Sequence, residues 1–477
     1  MNNILIRVAR HQSRLNRSIR LIVPVVKLAV TALLGLIFCQ SALAVPTFAR
    51  QTGQSCVACH AGGQYPELTP YGRMFKLTGY TMGEKTNPLS VMIVASATTT
   101  KNNDDGAGGS IVPQNGQPIL DSASVFVAGK LTDNIGGFAQ FTNSFLDSQD
   151  PTTGAWQGKF GADNIDIRYA DRTVDAKRDL VWGVTVHNNP TVQDVWNSAP
   201  AWSYPYMSTT RPNAFGMSST MVEGGLAQHV AGIGAYIYLN KNFYAELTSY
   251  QTAKGALSFL SYGNEPGSLT SPLTQLDGNS PYWRLAYTRE WGAHNIMIGA
   301  FGLDAKVLEN DGATGLPIPG IGSTHYEDVG FDAQYQYLLS PHTVTATIRS
   351  VHEKITDNTG NPGMVYSDAN GQATLDTINI KGSYVYREKY GASLAYSSVK
   401  GSADSTAYGT NAATGLANVP DTERWTPEFF WIPTPNIRVG VQLNMYTKYM
   451  GGSNNYAGGT RNASDNDTTY LYFWTAF

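Results

Sequence analysis

The sequence predicts an all-β fold: a transmembrane antiparallel β-barrel of about sixteen strands, preceded by a short, partly helical segment. Three observations carry this. After Val45, apolar and polar residues alternate over stretches of roughly ten residues. The polar side of these stretches carries charges in mid-strand. The connections alternate between short and long.

The chain opens with an export signal, expected over residues 1–44. Arg7, Arg10, Arg14, Arg17, Arg20 and Lys27 precede the apolar run Leu28–Phe38, with no acidic residue among them. Ser41-Ala42-Leu43-Ala44 supplies a small-residue cleavage site, so the mature chain is expected to begin at Val45. The apolar run is short for a membrane anchor. Phe38 before Cys39 is too bulky for lipoprotein processing. The basic leader is long, which leaves the true start codon open. Without it the chain keeps 27 basic residues against 36 acidic ones, a net charge of −9. That balance argues against a nucleic-acid partner and is compatible with attracting metal cations.

Residues 45–88 form the second unit, built around Cys56-Val57-Ala58-Cys59-His60. CxxCH is the attachment signature of a c-type haem: both thiols add to the haem vinyl groups, and the adjacent imidazole reaches the iron. A zinc half-site would need more Cys or His nearby. The third cysteine, Cys39, lies in the leader, and His60 is the one histidine between Ser41 and Asn143. A redox dithiol would want a strand before it, and Gln51-Thr52-Gly53-Gln54-Ser55 is not one. One covalently bound haem c is therefore expected on Cys56 and Cys59, with His60 as proximal ligand. Met74 and Met82 are the two methionines of the segment and candidates for the distal position. Histidines of the lumen, a lysine or water compete with them. Arg50, Arg73 and Lys76 are candidate partners of the haem propionates, with plain solvation as the alternative. Pro66-Glu67-Leu68-Thr69-Pro70 reads as a capped turn starting a short helix over Pro70–Leu77. So small a segment cannot bury a haem alone. The barrel lumen is the nearest surface that can cover it.

Residues 89–477 are expected to form the barrel. Ile437, Val439, Val441, Leu443 and Met445 share one face; Arg438, Gly440, Gln442, Asn444 and Tyr446 share the other. Ile378, Ile380, Gly382, Tyr384 and Tyr386 alternate with Thr377, Asn379, Lys381 and Ser383 in the same way. Val329, Phe331, Ala333, Tyr335 and Tyr337 alternate with Asp328, Gly330, Asp332, Gln334 and Gln336. A soluble sandwich also alternates, but its dry core could not hold Asp166, Arg168, Glu246, Arg284, Asp332, Arg349, Lys381 and Arg438. A wet lumen can. Strands are expected to begin near Val91, Ser122, Gly136, Asp163, Asp179, Ala227, Lys241, Tyr282, His294, Tyr326, Pro341, Thr374, Lys389, Trp425, Asn436 and Thr468. An even count returns both ends of the barrel to the same side. The spans Asn189–Gly225 and Thr252–Pro281 are the longest of the expected outer loops. The last strand, Thr468–Phe477, ends in the aromatic pattern of a barrel assembly signal.

Pro46-Thr47-Phe48-Ala49-Arg50-Gln51-Thr52-Gly53, Cys56–His60, Pro66–Pro70, Gly72-Arg73, Phe75-Lys76-Leu77 and Gly79-Tyr80 together resemble the haem segment of a known family. This is the fused monohaem cytochrome c–porin family of the bacterial outer membrane, the Fe(II)-oxidising outer-membrane cytochromes. The likeness is dense over Pro46–Tyr80 and architectural over the barrel. It implies one haem c, a porin-like barrel in the outer membrane of a Gram-negative bacterium, and a haem segment on the periplasmic side or in the lumen. It also implies an Fe(II):cytochrome c oxidoreductase activity, passing single electrons from extracellular Fe(II) through haem c to a periplasmic cytochrome. The alternatives are a diffusion porin whose haem is structural or gating, and a conduit for another extracellular donor. Asp104-Asp105, Asp465 and Asp467 are candidate donor ligands in the loops. His187, His229, His325 and His352 fall toward the long-loop end.

Overall fold

The computed structural model describes residues 46–63, 66–104, 110–149, 153–198, 215–268, 272–360 and 364–477. The expected leader and Asp105 lie outside them. The elements below belong to the unit Leu43–Ala476. Among the described residues no helix is long and apolar enough to cross a membrane.

Sixteen strands follow one another around a closed antiparallel barrel. The first eight are β1 (Leu89–Thr100), β2 (Ile119–Lys130), β3 (Ile135–Gln149), β4 (Trp156–Val174), β5 (Asp179–His187), β6 (Val230–Leu239), β7 (Phe243–Thr252) and β8 (Ser280–Trp291). The second eight are β9 (His294–Leu308), β10 (Ser323–Leu339), β11 (His342–Asp357), β12 (Gln372–Tyr386), β13 (Tyr390–Gly401), β14 (Thr422–Thr434), β15 (Ile437–Lys448) and β16 (Thr468–Ala476). A further two-residue strand, Gln275–Leu276, pairs with the end of β9. The barrel closes by β1 against β16, with Met92 opposite Ala476 and Thr100 opposite Thr468. Closure leaves no edge for another chain to pair with.

Strand periodicity sets the facing. On β10, Val329 and Phe331 are exposed outward while Asp328, Asp332, Gln334 and Gln336 are buried inward. The same holds for Ile378, Ile380 and Tyr384 against Thr377 and Lys381 on β12, and for Val439, Leu443 and Met445 against Arg438, Gln442 and Asn444 on β15. Ile437 departs from the expected outward set and is buried. A register shift between Trp431 and Thr434 interrupts the regular alternation there. The short turns are tight: Asn240 and Lys241 take φ 53° and 56°, the left-handed pair that suits strand twist in a two-stranded hairpin. Strand β4 begins at Trp156 rather than near Asp163, because β3 and β4 go on pairing through two register shifts.

The segment before the barrel holds α1 (Pro46–Thr52), α2 (Cys56–Cys59) and α3 (Pro70–Leu77). Helix α3 starts where the sequence says: Pro70 opens it, and the Thr69 hydroxyl accepts a hydrogen bond from Gly72 N at 3.1 Å. It stops at Thr78, and Gly79 (φ 71°) carries the chain away while Tyr80 N donates to Phe75 O at 3.0 Å.

This segment plugs the lumen at the short-turn end. Arg73 donates to Asn295 Oδ1 (2.7 Å) and Gln336 Oε1 (3.2 Å), Tyr80 OH to Asp166 Oδ2 (2.6 Å), and Tyr236 OH to Leu77 O (2.6 Å). Lys381 pairs with Glu67. Of the span expected as an outer loop from Asn189, residues 189–198 turn inward. Arg168 donates to Gln193 O (2.7 Å), Gln334 to Trp196 O (3.0 Å), and Lys76 to Asp194 O (3.1 Å). Further along, Met221 N and Val222 N each donate at 2.7 Å, to Glu353 and Asp328 of the wall. Several of the lumen's charges are buried and paired: Arg168 with Asp166 (2.9 Å), Arg284 with Asp332 (2.7 Å), and Arg438 with Glu428 (2.7 Å). Buried charge is tolerated only with such partners.

Candidate functional site

Between the plug and the wall lies a cavity with an empty volume of ≈ 1100 Å³, part of it open to solvent. Cys56, Cys59 and His60 all line it. Their placement follows from local chain geometry. Ser55, extended at φ −75°, leads into the single helical turn of α2, and His60 N donates to Cys56 O at 2.8 Å. His60 then leaves the helix in an extended conformation and bridges to Leu68. The turn thereby puts both thiols and the imidazole on one cavity. Gly72 makes this possible from the other side. A Cβ there would sit 2.2 Å from Cys59 O, so only glycine lets α3 approach the motif so closely.

Much of the remaining lining is apolar rings and neutral amides. Phe48, Phe75 and Tyr80 form an aromatic cluster, with Phe48 4.9 Å from Phe75 and stacked on Tyr80 at 5.4 Å. The wall contributes Phe126 of β2, Phe138 and Gln140 of β3, and Asn164 of β4, and the inward loop adds Val192 and Asn197. The lining rings Phe126 and Phe138 were not foreseen, although a signal existed: each is an aromatic on the otherwise polar inward face of its strand.

Electrostatics suit a neutral, ligating imidazole. Desolvation lowers His60 to about 4, and its Nδ1 is buried without a hydrogen-bond partner. An orphaned buried ring nitrogen is costly unless a group beyond the polypeptide holds the ring. Burial, with Cys56 adjacent, pushes the Cys59 thiol up to about 11. No disulfide joins the two cysteines. A flat, apolar macrocycle with thioether tethers and an iron atom matches this donor set and these walls.

The other expected site residues separate. Met74 packs on the far side of α3 against the cluster of Leu77, Val195 and Trp196. Neither Met74 nor Met82 is among the described residues lining the cavity. Arg50 donates to Leu89 O at 2.6 Å at the barrel's start, and Arg73 is committed to Asn295, Gln336 and Leu68 O. Lys76 alone of the three basic candidates lines the cavity. Its ammonium donates to Val192 O and Asp194 O, and burial lowers it to about 8. Among the loop candidates, Asp465 pairs with Lys101 at 2.6 Å and Asp467 accepts from Tyr446 N, and among the described residues they form no metal-ligand cluster with Asp104. His187 is hydrogen-bonded to Tyr250 (2.8 Å) and His229 accepts from Thr274 N (3.0 Å). His352 meets Asp376 at 2.7 Å.

The molecule is thus a closed sixteen-stranded antiparallel β-barrel with a short helical N-terminal segment. No protein-family model and no curated protein matches the chain. Among solved structures, similarity is found to OmpT of Vibrio cholerae at 10% identity, over 82% of this chain and 99% of that one, with TM-score 0.42. The channel DcaP of Acinetobacter baumannii is similar at 13% identity, over 82% and 96%, with TM-score 0.44. An anion-selective porin from Comamonas acidovorans is similar at 10% identity, over 82% and 98%, with TM-score 0.42.

Proposed function

We propose that this chain is an outer-membrane electron-transfer protein with one covalent haem c. It takes single electrons from an extracellular donor, Fe(II) first among the candidates, and delivers them to a periplasmic cytochrome. One observation carries the reading: the cavity on Cys56, Cys59 and His60 lies inside the lumen, where an insulating apolar band about 25 Å tall would otherwise separate donor from acceptor. When bound, haem c supplies one-electron exchange at its iron.

The residues of the chain have definable parts in this. Cys56 and Cys59 would tether the group, and His60, kept neutral by burial, would ligate it. Phe48, Phe75, Phe126 and Phe138 would line it with apolar surface. Lys76 is the cation nearest to hand for a propionate. In this orientation the short-turn end, with the plug, faces the periplasm.

Anaerobic addition of Fe(II) to the purified oxidised protein, followed by the reduced-haem absorbance, tests the reading. Prompt reduction supports it. No reduction, together with steady ion conductance in bilayers, would replace it with the second reading, a diffusion porin whose haem is structural or gating. That second reading is favoured by the barrel architecture itself.

A further inference from the structure

On the outward face of the wall, near the long-loop end, Asp304 of β9 stands directly opposite Glu327 of β10. Like charges placed so are destabilising unless something neutralises them. Lys354 of β11, opposite Glu327, reaches one of its oxygens at 3.1 Å. Among the described residues no lysine or arginine pairs with Asp304 in this way. Its nearest charged-type partner is His325, two residues before Glu327 on the same face, with Nε2 3.0 Å from Asp304 Oδ1. Yet Nε2 is buried and makes no hydrogen bond, so the ring nitrogen and the carboxylate are close without being aligned as donor and acceptor. One ligand atom from each of Asp304, His325 and Glu327 lies within 4.8 Å of the others. Bonds of about 2.0–2.2 Å to one ion put neighbouring ligand atoms about 3 Å apart. The Asp304–His325 spacing already meets this, and Glu327 needs a side-chain rotation.

We infer that Asp304, His325 and Glu327 form a binding site for a divalent transition-metal ion on the outer wall of the barrel. One imidazole with two carboxylates suits ions such as Zn(II), Fe(II) or Mn(II). The site faces away from the lumen, so it is independent of the haem cavity. Lys306, opposite His325, and Lys354 are the cations it must tolerate.

Zn(II) alone is the probe, because it is redox-silent and cannot be mistaken for an electron donor. The full-length, haem-loaded protein is stripped with chelator, dialysed against Zn(II), and analysed for zinc per chain. The wild type is expected to bind one zinc more than each of Asp304→Asn, His325→Ala and Glu327→Gln, with affinity at that site at least about tenfold weaker in the variants. Asp376→Asn, altering the separate His352 pair on the same outer surface, is expected to bind like the wild type. An unchanged haem spectrum and β-sheet signature confirm that each variant folds. Equal zinc binding by wild type and all three variants, or no saturable zinc in the wild type, overturns the inference.

Discussion

Gly72 shows how closely the site depends on single residues. Its absent side chain is what lets α3 lie on the CxxCH turn, and the obstructing atoms are Cys59 backbone, which cannot rotate away. Gly72→Ala is expected to cost about 1–3 kcal/mol of segment stability. The check is a lower temperature for proteolytic release of residues 46–88, with the barrel's sheet signature intact. Lys76 gives a pH signature. Burial, aided by Arg168, outweighs Asp166, Asp194 and Glu246 and holds its folded pKa near 8, against 10.5 for the free side chain. Between those values the unfolded segment binds more protons than the folded one, so docking should strengthen as pH rises from about 8 to 10.5. Lys76→Met should remove that slope. A proteolysis series over this window, alike in wild type and variant, would refute the assignment. That Cys56, Cys59 and His60 share one cavity was legible because they are neighbours on one turn. The partners of Arg73 were not, since Asn295 and Gln336 lie more than two hundred residues away in sequence.

At the scale of elements, α3 is set by its cap. Thr69→Ala removes the hydroxyl that accepts from Gly72 N, and the same hydroxyl donates to Ala58 O, tying α3 to the motif turn. Cap loss typically costs about 0.5–2 kcal/mol. Thr69→Ser is expected to keep most of that stability, whereas Thr69→Ala should raise the proteolysis rate of the segment several-fold at fixed temperature. Equal rates for the two variants would show that the cap does not govern docking. The strands were read with little error because period-two alternation is a local property. Strand β4 was misplaced at its start because a bulged extension of a hairpin carries no clear alternation.

For the whole molecule, the consequential feature is that plug and inward loop meet in mid-lumen. Lys76 of the plug bonds to Val192 O and Asp194 O of the loop, and Asn197 of the loop donates to Pro66 O. Two inserts joined in this way leave little room for ions. The full chain is expected to give little or no steady conductance in planar bilayers, and a variant lacking residues 46–88 to conduct measurably more. Large, stable channels from the full chain would contradict the filled lumen.

The sequence by itself determined the barrel, its strand order and its facing, because alternation and turn residues act over a few residues. Only the tertiary structure decided that lumen charges such as Arg168 and Asp166 meet in buried pairs, that residues 189–198 fold inward, that Lys76 rather than Arg50 or Arg73 borders the cavity, and that Asp304, His325 and Glu327 converge. Those outcomes depend on which inward and outward side chains meet across a closed cylinder. Closure brings together residues far apart in the chain, and no local pattern records that meeting.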